Sequence, residues 1–214
     1  MSGAVSGERA RLFVALEVPA EVRRALAAWT REHTAGIDHL RPVAAESLHV
    51  TLCFLGSRPV AEVGEIAAAC TEAVSGLPAA PLTVGPALWL PPRRARVLTV
   101  ELGDQEGRLA AVQSAVAQAL AEGGFYEPET RPFLAHVTVA RVRRDGRPPR
   151  RGGESRDGRA PRDGRAPRDR APRGELPAPA SARFTADRVT LFRSRLGGGP
   201  ARYEALSSVE LSQS

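Results

Sequence analysis

Two stretches of this 214-residue chain repeat one pattern: His49-Val50-Thr51-Leu52 and His136-Val137-Thr138-Val139, each inside a strongly apolar run. In an extended strand alternate side chains share a face. His49 and Thr51 therefore point one way, while Val50, Leu52 and Phe54 point into the core. His136 and Thr138 separate from Val137 and Val139 in the same manner. Imidazole titrates near neutral pH, so one neutral ring takes a proton from an attacking water or hydroxyl while a second, protonated, gives one to the leaving oxygen. Threonine hydroxyls beside the rings donate to non-bridging phosphate oxygens. In-line displacement at phosphorus needs its acid and base on opposite sides, which two equivalent strands facing across a cleft provide. The pattern suits phosphoryl transfer without a metal.

A single histidine in an apolar strand is ordinarily a structural residue, and threonine is a good strand former. Two matching copies among only four histidines give the pattern its weight. His33 and His39 lack that context and read as a helix-end and a loop histidine. No second His, Cys or carboxylate stands at ligand spacing in the motif, so neither metal nor cofactor is expected. Gly197-Gly198-Gly199 precedes a strand and reads as a hairpin turn, not a phosphate loop.

The elements that hold these strands follow from periodicity. Leu12, Val14, Leu16 and Val18 alternate as a strand, with Phe13 and Ala15 on its other face. Val22, Leu26 and Trp29 share a helical face, as do Val63, Ile66, Cys70 and Val74, and again Leu109, Val112, Val116 and Leu120. Strands are expected at 48–55, 82–90, 96–102, 133–142, 186–193 and 202–211, with a short one before the first motif. Several strand pairs have connections too short for parallel crossovers. An α+β fold with antiparallel sheet follows.

Composition bounds the rest. A hydrophobic fraction of 43% with 25% charged residues excludes a chain disordered throughout. The longest apolar runs are interrupted by Glu17 and Glu65, well short of the roughly 18 to 20 residues that cross a bilayer. No secretory pattern opens the chain and two cysteines make no disulfide scaffold, so a cytoplasmic protein is expected. The net charge of +6 suggests nucleic acid, yet residues 143–175 carry twelve arginines against six acids, the whole excess. That segment repeats Arg-Asp-Gly-Arg-Ala-Pro and has no aromatic residue, and no aliphatic one larger than alanine or proline, between Val142 and Leu176. Residues 143–182 read as a disordered insertion in a single domain, 10–211, preceded by a disordered 1–9. An arginine-rich arm tracking RNA phosphates is the functional alternative, weakened by the interleaved aspartates.

The doubled motif resembles the two-histidine phosphoesterase superfamily. Arg11-Leu-Phe-Val-Ala-Leu-Glu-Val-Pro19, Leu48-His-Val-Thr-Leu-Cys-Phe-Leu-Gly56, Arg131-Pro-Phe-Leu-Ala-His-Val-Thr-Val-Ala-Arg141 and Arg202-Tyr-Glu-Ala-Leu206 narrow the similarity to bacterial and archaeal RNA 2′,3′-cyclic phosphodiesterases, also called the 2′-5′ RNA ligase family. Ala135 and Val139 depart from that family's usual Pro and Leu. The resemblance implies two pseudo-symmetric lobes, each an antiparallel sheet flanked by helices, with the motifs lining a central cleft. It implies metal-free hydrolysis of a 2′,3′-cyclic phosphate RNA end to a 2′-phosphomonoester. His49 is then the proton donor and His136 the acceptor, an assignment the residues alone do not make. Thr51 and Thr138 bind phosphate; Phe13 and Arg141 are substrate-contact candidates, although Arg141 shares strand parity with the core residues Val137 and Val139. A monomer acting on RNA ends, away from membranes, is the expected setting. Reverse 2′-5′ ligation, a small-nucleotide cyclic phosphodiesterase and a non-catalytic RNA-binding module remain as alternatives.

Overall fold

The computed structural model describes residues 7–37, 39–142, 176–195 and 202–213. Its elements run β1 (Arg9–Glu17), α1 (Ala20–Thr34), β2 (Leu40–Pro42), β3 (His49–Pro59), α2 (Val63–Val74), β4 (Ala80–Leu90), β5 (Val97–Gly103), α3 (Arg108–Glu122), β6 (His136–Val142), β7 (Arg183–Ala186), β8 (Arg188–Arg195) and β9 (Arg202–Glu210). Short 3-10 turns occupy Ala45–Ser47 and Val60–Glu62. Of the three helical stripes read from the sequence, Val22, Leu26 and Trp29 in α1, Ile66, Cys70 and Val74 in α2, and Leu109, Val112, Val116 and Leu120 in α3 are buried, while Val63 at the start of α2 is only partly so.

All described strands join one antiparallel sheet in the order β7-β4-β5-β6-β3-β1-β8-β9, with β2 pairing Ala140–Val142 farther along the edge of β6 that β3 touches. The two halves meet where β3 and β6 pair at a single position, Val50 opposite Val137. On one side lie β3, β1, β8 and β9; on the other β6, β5, β4 and β7. The fold is thus α+β with antiparallel strands, and each half contributes one motif strand. Helix α1 covers β2 and β6, while α2 and α3 pack together and onto β9 and β3. Leu12, Val14, Leu16, Val50, Val100 and Val137 form the apolar face beneath them.

Several boundaries differ from the sequence reading. Arg9, expected in a disordered terminus, already pairs with Pro59. The strand expected at 186–193 is β8, which pairs with β1, but a strand absent from the sequence reading precedes it: β7 pairs with β4 in the other half and is separated from β8 by Asp187 alone. Strands so far apart in the sheet order can be consecutive in the chain only if the sheet curls. The end of β9 stitches that curl, because Leu211 donates to the Asp187 carbonyl, Ser212 to Leu77, and Ala79 to Ser212. The tandem repeat lies outside the described residues. Its expected C-terminal flank does not behave as a linker, since Leu176 and Ala182 pack on the core, Pro179 is buried, and the Ala182 carbonyl accepts from Val84. Leu176 and Pro179 supply the apolar anchors that the repeat lacks.

Cys53 and Cys70 are buried and unbonded, and burial pushes both thiols up to about 12, which leaves them unreactive. Among the described residues no helix is long and apolar enough to cross a membrane.

Candidate active site

The site grows from the Val50–Val137 pair. Both valines are fully buried, so the residues on either side of each project from the opposite face. Antiparallel pairing relates the two strands by a local twofold axis through that pair. His49 and His136 therefore stand diagonally across it, as do Thr51 and Thr138. Diagonal neighbours in such a ladder have Cα atoms roughly 7–8 Å apart, a spacing that admits a phosphate between two imidazoles.

Each ring is held in the same way. His49 Nδ1 lies 2.8 Å from the carbonyl of Ser47, at the end of the 3-10 turn before β3. His136 Nδ1 lies 2.7 Å from the carbonyl of Leu134, in the segment before β6. A carbonyl only accepts, so both Nδ1 atoms carry hydrogen and both Nε2 atoms are left for chemistry. In each case the partner is two residues upstream, so the backbone that leads into the strand fixes the ring.

The surroundings of the two rings differ. His49 sits among Phe13, Phe192 and Tyr203, with ring centroids 4.9, 6.3 and 5.2 Å away. Burial among these rings holds its pKa down to about 4, against an ordinary 6.5; the Ser47 hydrogen bond opposes the shift, and the charges of Arg141 and His136 add to it. In the free protein at neutral pH, His49 is accordingly a neutral imidazole.

Both motif strands carry a bulge at the third residue after the histidine. Opposite β1, Thr51 pairs with Ala15 and Cys53 with Val14, leaving Leu52 extra. Opposite β5, Thr138 pairs with Thr99 and Ala140 with Leu98, leaving Val139 extra. Leu52 and Cys53 are both buried, as are Val139 and Ala140. An extra residue reverses the alternation beyond it. Arg141 consequently leaves the phase of Val137 and Val139 and joins that of His136 and Thr138, close enough for its charge to act on His49. Phe54, expected in the core, is instead 45% exposed for the same reason.

Phe13 does lie on the motif face but is only 4% exposed. It packs against His49, Phe192 and Tyr203 and supports the ring without presenting a surface to a nucleotide. Phe192 and Tyr203 were not singled out from sequence as site residues; Tyr203 stood in the closing-strand similarity, and Phe192 had no signal beyond strand alternation. His33 is in α1, stacked on Trp29 away from the motifs. Among the described residues no three His, Cys, Asp or Glu side chains converge.

A family model described as LigT like phosphoesterase matches residues 16–99, which include the first motif. The RNA 2′,3′-cyclic phosphodiesterase of Escherichia coli (strain K12) is 33% identical over 144 residues, covering 63% of this chain and 73% of that protein. The protein of the same name from Archaeoglobus fulgidus is 33% identical over 138 residues, with the same two coverages. This chain belongs to the LigT-like phosphoesterase family. The family relationship extends to three dimensions. The crystal structure of E. coli LigT complexed with 3′-AMP superposes with a TM-score of 0.69 at 27% identity, covering 96% of this chain and all of that one. The crystal structure of another phosphoesterase gives 0.72 at 25% identity, with the same coverage. In this phosphoesterase the twin motif strands meet at the junction of the two halves and form the candidate site.

Proposed function

We propose that this chain hydrolyses RNA 2′,3′-cyclic phosphodiester ends to 2′-phosphomonoesters, as a cytoplasmic monomer and without a metal. The observation that carries the reading is the matched pair of Nδ1–H···O=C bonds, which leaves one Nε2 on each side of the local twofold axis. Two relatives named RNA 2′,3′-cyclic phosphodiesterase support the substrate class. In this reading the cyclic phosphate lies between the imidazoles. His136 Nε2 takes a proton from water as the water oxygen bonds to phosphorus. The P–O3′ bond breaks on the far side, and His49 gives a proton to the departing 3′ oxygen. Thr51 and Thr138 donate to the non-bridging oxygens, and Arg141 balances the charge that develops there.

His49 is neutral in the free protein, so its proton must arrive with the anionic substrate, whose charge favours imidazolium. The same depressed pKa favours a second reading, with His49 as base and His136 as acid. A leaving group that needs no proton separates them. With bis(p-nitrophenyl) phosphate, the acid variant keeps most of its activity and the base variant loses about 10² to 10⁴. Retention by His49→Ala supports the first assignment; retention by His136→Ala reverses it. The function itself is tested by ³¹P NMR of products from an oligonucleotide ending in a 2′,3′-cyclic phosphate, with EDTA present. A 2′-phosphate product is expected. A 3′-phosphate, or activity that disappears with EDTA and returns with a divalent ion, would overturn the proposal.

A further inference from the structure

The twin bulges turn two residues onto the motif face at the same distance past their histidines. One is Arg141, placed above against the phosphate. Its counterpart is Phe54, one of only two large hydrophobic side chains exposed among the described residues. An apolar ring turned outward by a bulge, beside a polar site, is unpaid for by packing and points to a ligand.

Around Phe54 the surface combines rings and guanidinium groups. The Arg11 guanidinium lies 4.7 Å over the Phe54 ring, and that of Arg58 lies 5.6 Å from the Phe125 ring. Glu62 neutralises Arg58 at 2.6 Å, whereas Arg11 has no carboxylate partner among the described residues. Phe54, Leu55, Arg58, Phe125 and Tyr126 border a groove of about 350 Å³, within the size range of small-ligand pockets. Phe54 itself links this groove to the motif strands, because it pairs with Phe13, whose ring packs on His49. Along β3, Phe54 is three residues beyond Thr51, one of them the bulge. That separation is close to one nucleotide step from the phosphate site.

We propose that Phe54 is a stacking platform for the base of the nucleotide immediately upstream of the reacting end, with Arg11 beside it for the connecting phosphate. The inference rests on the cyclic-phosphodiesterase reading and adds to it a preference for RNA ends over mononucleotides. Rings with adjacent free cations are how single strands are held without base readout. A ring stacks on any base, so the platform selects for the presence of an upstream nucleotide and not for its identity.

The test compares a mononucleoside 2′,3′-cyclic phosphate with a dinucleotide carrying the same end. Wild type should prefer the dinucleotide. Phe54→Ala should reduce its kcat/KM about tenfold more than that of the mononucleotide, mainly through KM, and Phe54→Trp should restore it. In parallel, a dinucleotide with 2-aminopurine at the upstream position and a 2′-phosphate at the end should be quenched on binding by wild type and not by Phe54→Ala. Equal losses on both substrates, no loss on either, or quenching that survives Phe54→Ala would overturn the platform. Failure of the underlying reading looks different: wild type would then turn over neither substrate, and the fluorescence result alone would decide whether the ring stacks on a base.

Discussion

His49 is held by three rings and a carbonyl, and its low proton affinity is a property of that enclosure. Its folded-state pKa of about 4 lies below the ordinary 6.5. As pH falls below 6.5 the unfolded chain takes up a proton that the folded one refuses, so stability present above that pH is lost progressively down to about 4. His49→Gln should therefore show a smaller fall in Tm between pH 7.5 and 4.5 than wild type; an identical fall would mean that the imidazole is not shielded. Phe13→Ala should let water reach the ring, move the His49 titration toward 6.5 by NMR, and cost roughly 3–5 kcal/mol of stability by urea unfolding. Its activity should fall mainly in kcat, because Phe13 supports a reacting group and does not face the substrate. Arg141→Ala should instead weaken both binding and turnover of the cyclic phosphate. The histidines and threonines were legible because alternation around Val50 and Val137 is local information. The aromatic wall was not, because Phe192 and Tyr203 come from strands more than 140 residues away in sequence from His49.

Bulges decide what the strands present. Alternation read along β3 and β6 is correct up to Thr51 and Thr138 and inverts afterwards, which places Phe54 and Arg141 on the face opposite to their sequence parity. Nothing in Leu52-Cys53 or Val139-Ala140 announces an extra residue, since all four are ordinary core side chains. A third irregularity lies in β4, where Gly85 falls in the break between Val84 and Ala87 opposite β5. A Cβ on Gly85 would stand 3.0 Å from the carbonyl oxygen of Glu101, the residue that pairs with His136. Backbone is the obstacle there, so no side chain can rotate aside. Gly85→Ala should cost about 1–3 kcal/mol in chemical denaturation and disturb the half that carries His136. Unchanged stability would mean that β4 and β5 separate freely. Helices are legible because their apolar stripes repeat over about two to three turns. Strand β7 is not legible in the sequence because its four residues, Arg183–Ala186, leave too short an alternation to mark a strand.

For the molecule as a whole, the two halves and the repeat between β6 and β7 pose separate questions. The repeat carries the charge excess, and Leu176, the first described residue after it, makes apolar contacts of its own. Replacing residues 144–175 with a Gly/Ser linker should leave kcat on a dinucleotide cyclic phosphate unchanged. Binding of long RNA should weaken and lose salt dependence if those arginines touch phosphates. A collapse of kcat on the short substrate would show that the segment takes part in catalysis. The passage through Asp187 has another outcome, which concerns how the protein is made. The strands that follow the repeat are the outer partner of β4 in one half and of β1 in the other. Until they leave the ribosome, both halves carry an open hydrogen-bonding edge, and Arg11 through Leu16 wait for partners encoded some 180 residues later. Long-range pairing of this kind is slow, and open edges invite other chains. Nascent chains stalled before Arg183 should consequently be sensitive to proteases in both halves together, and protection of the two should appear in one step once β8 and β9 have been synthesised.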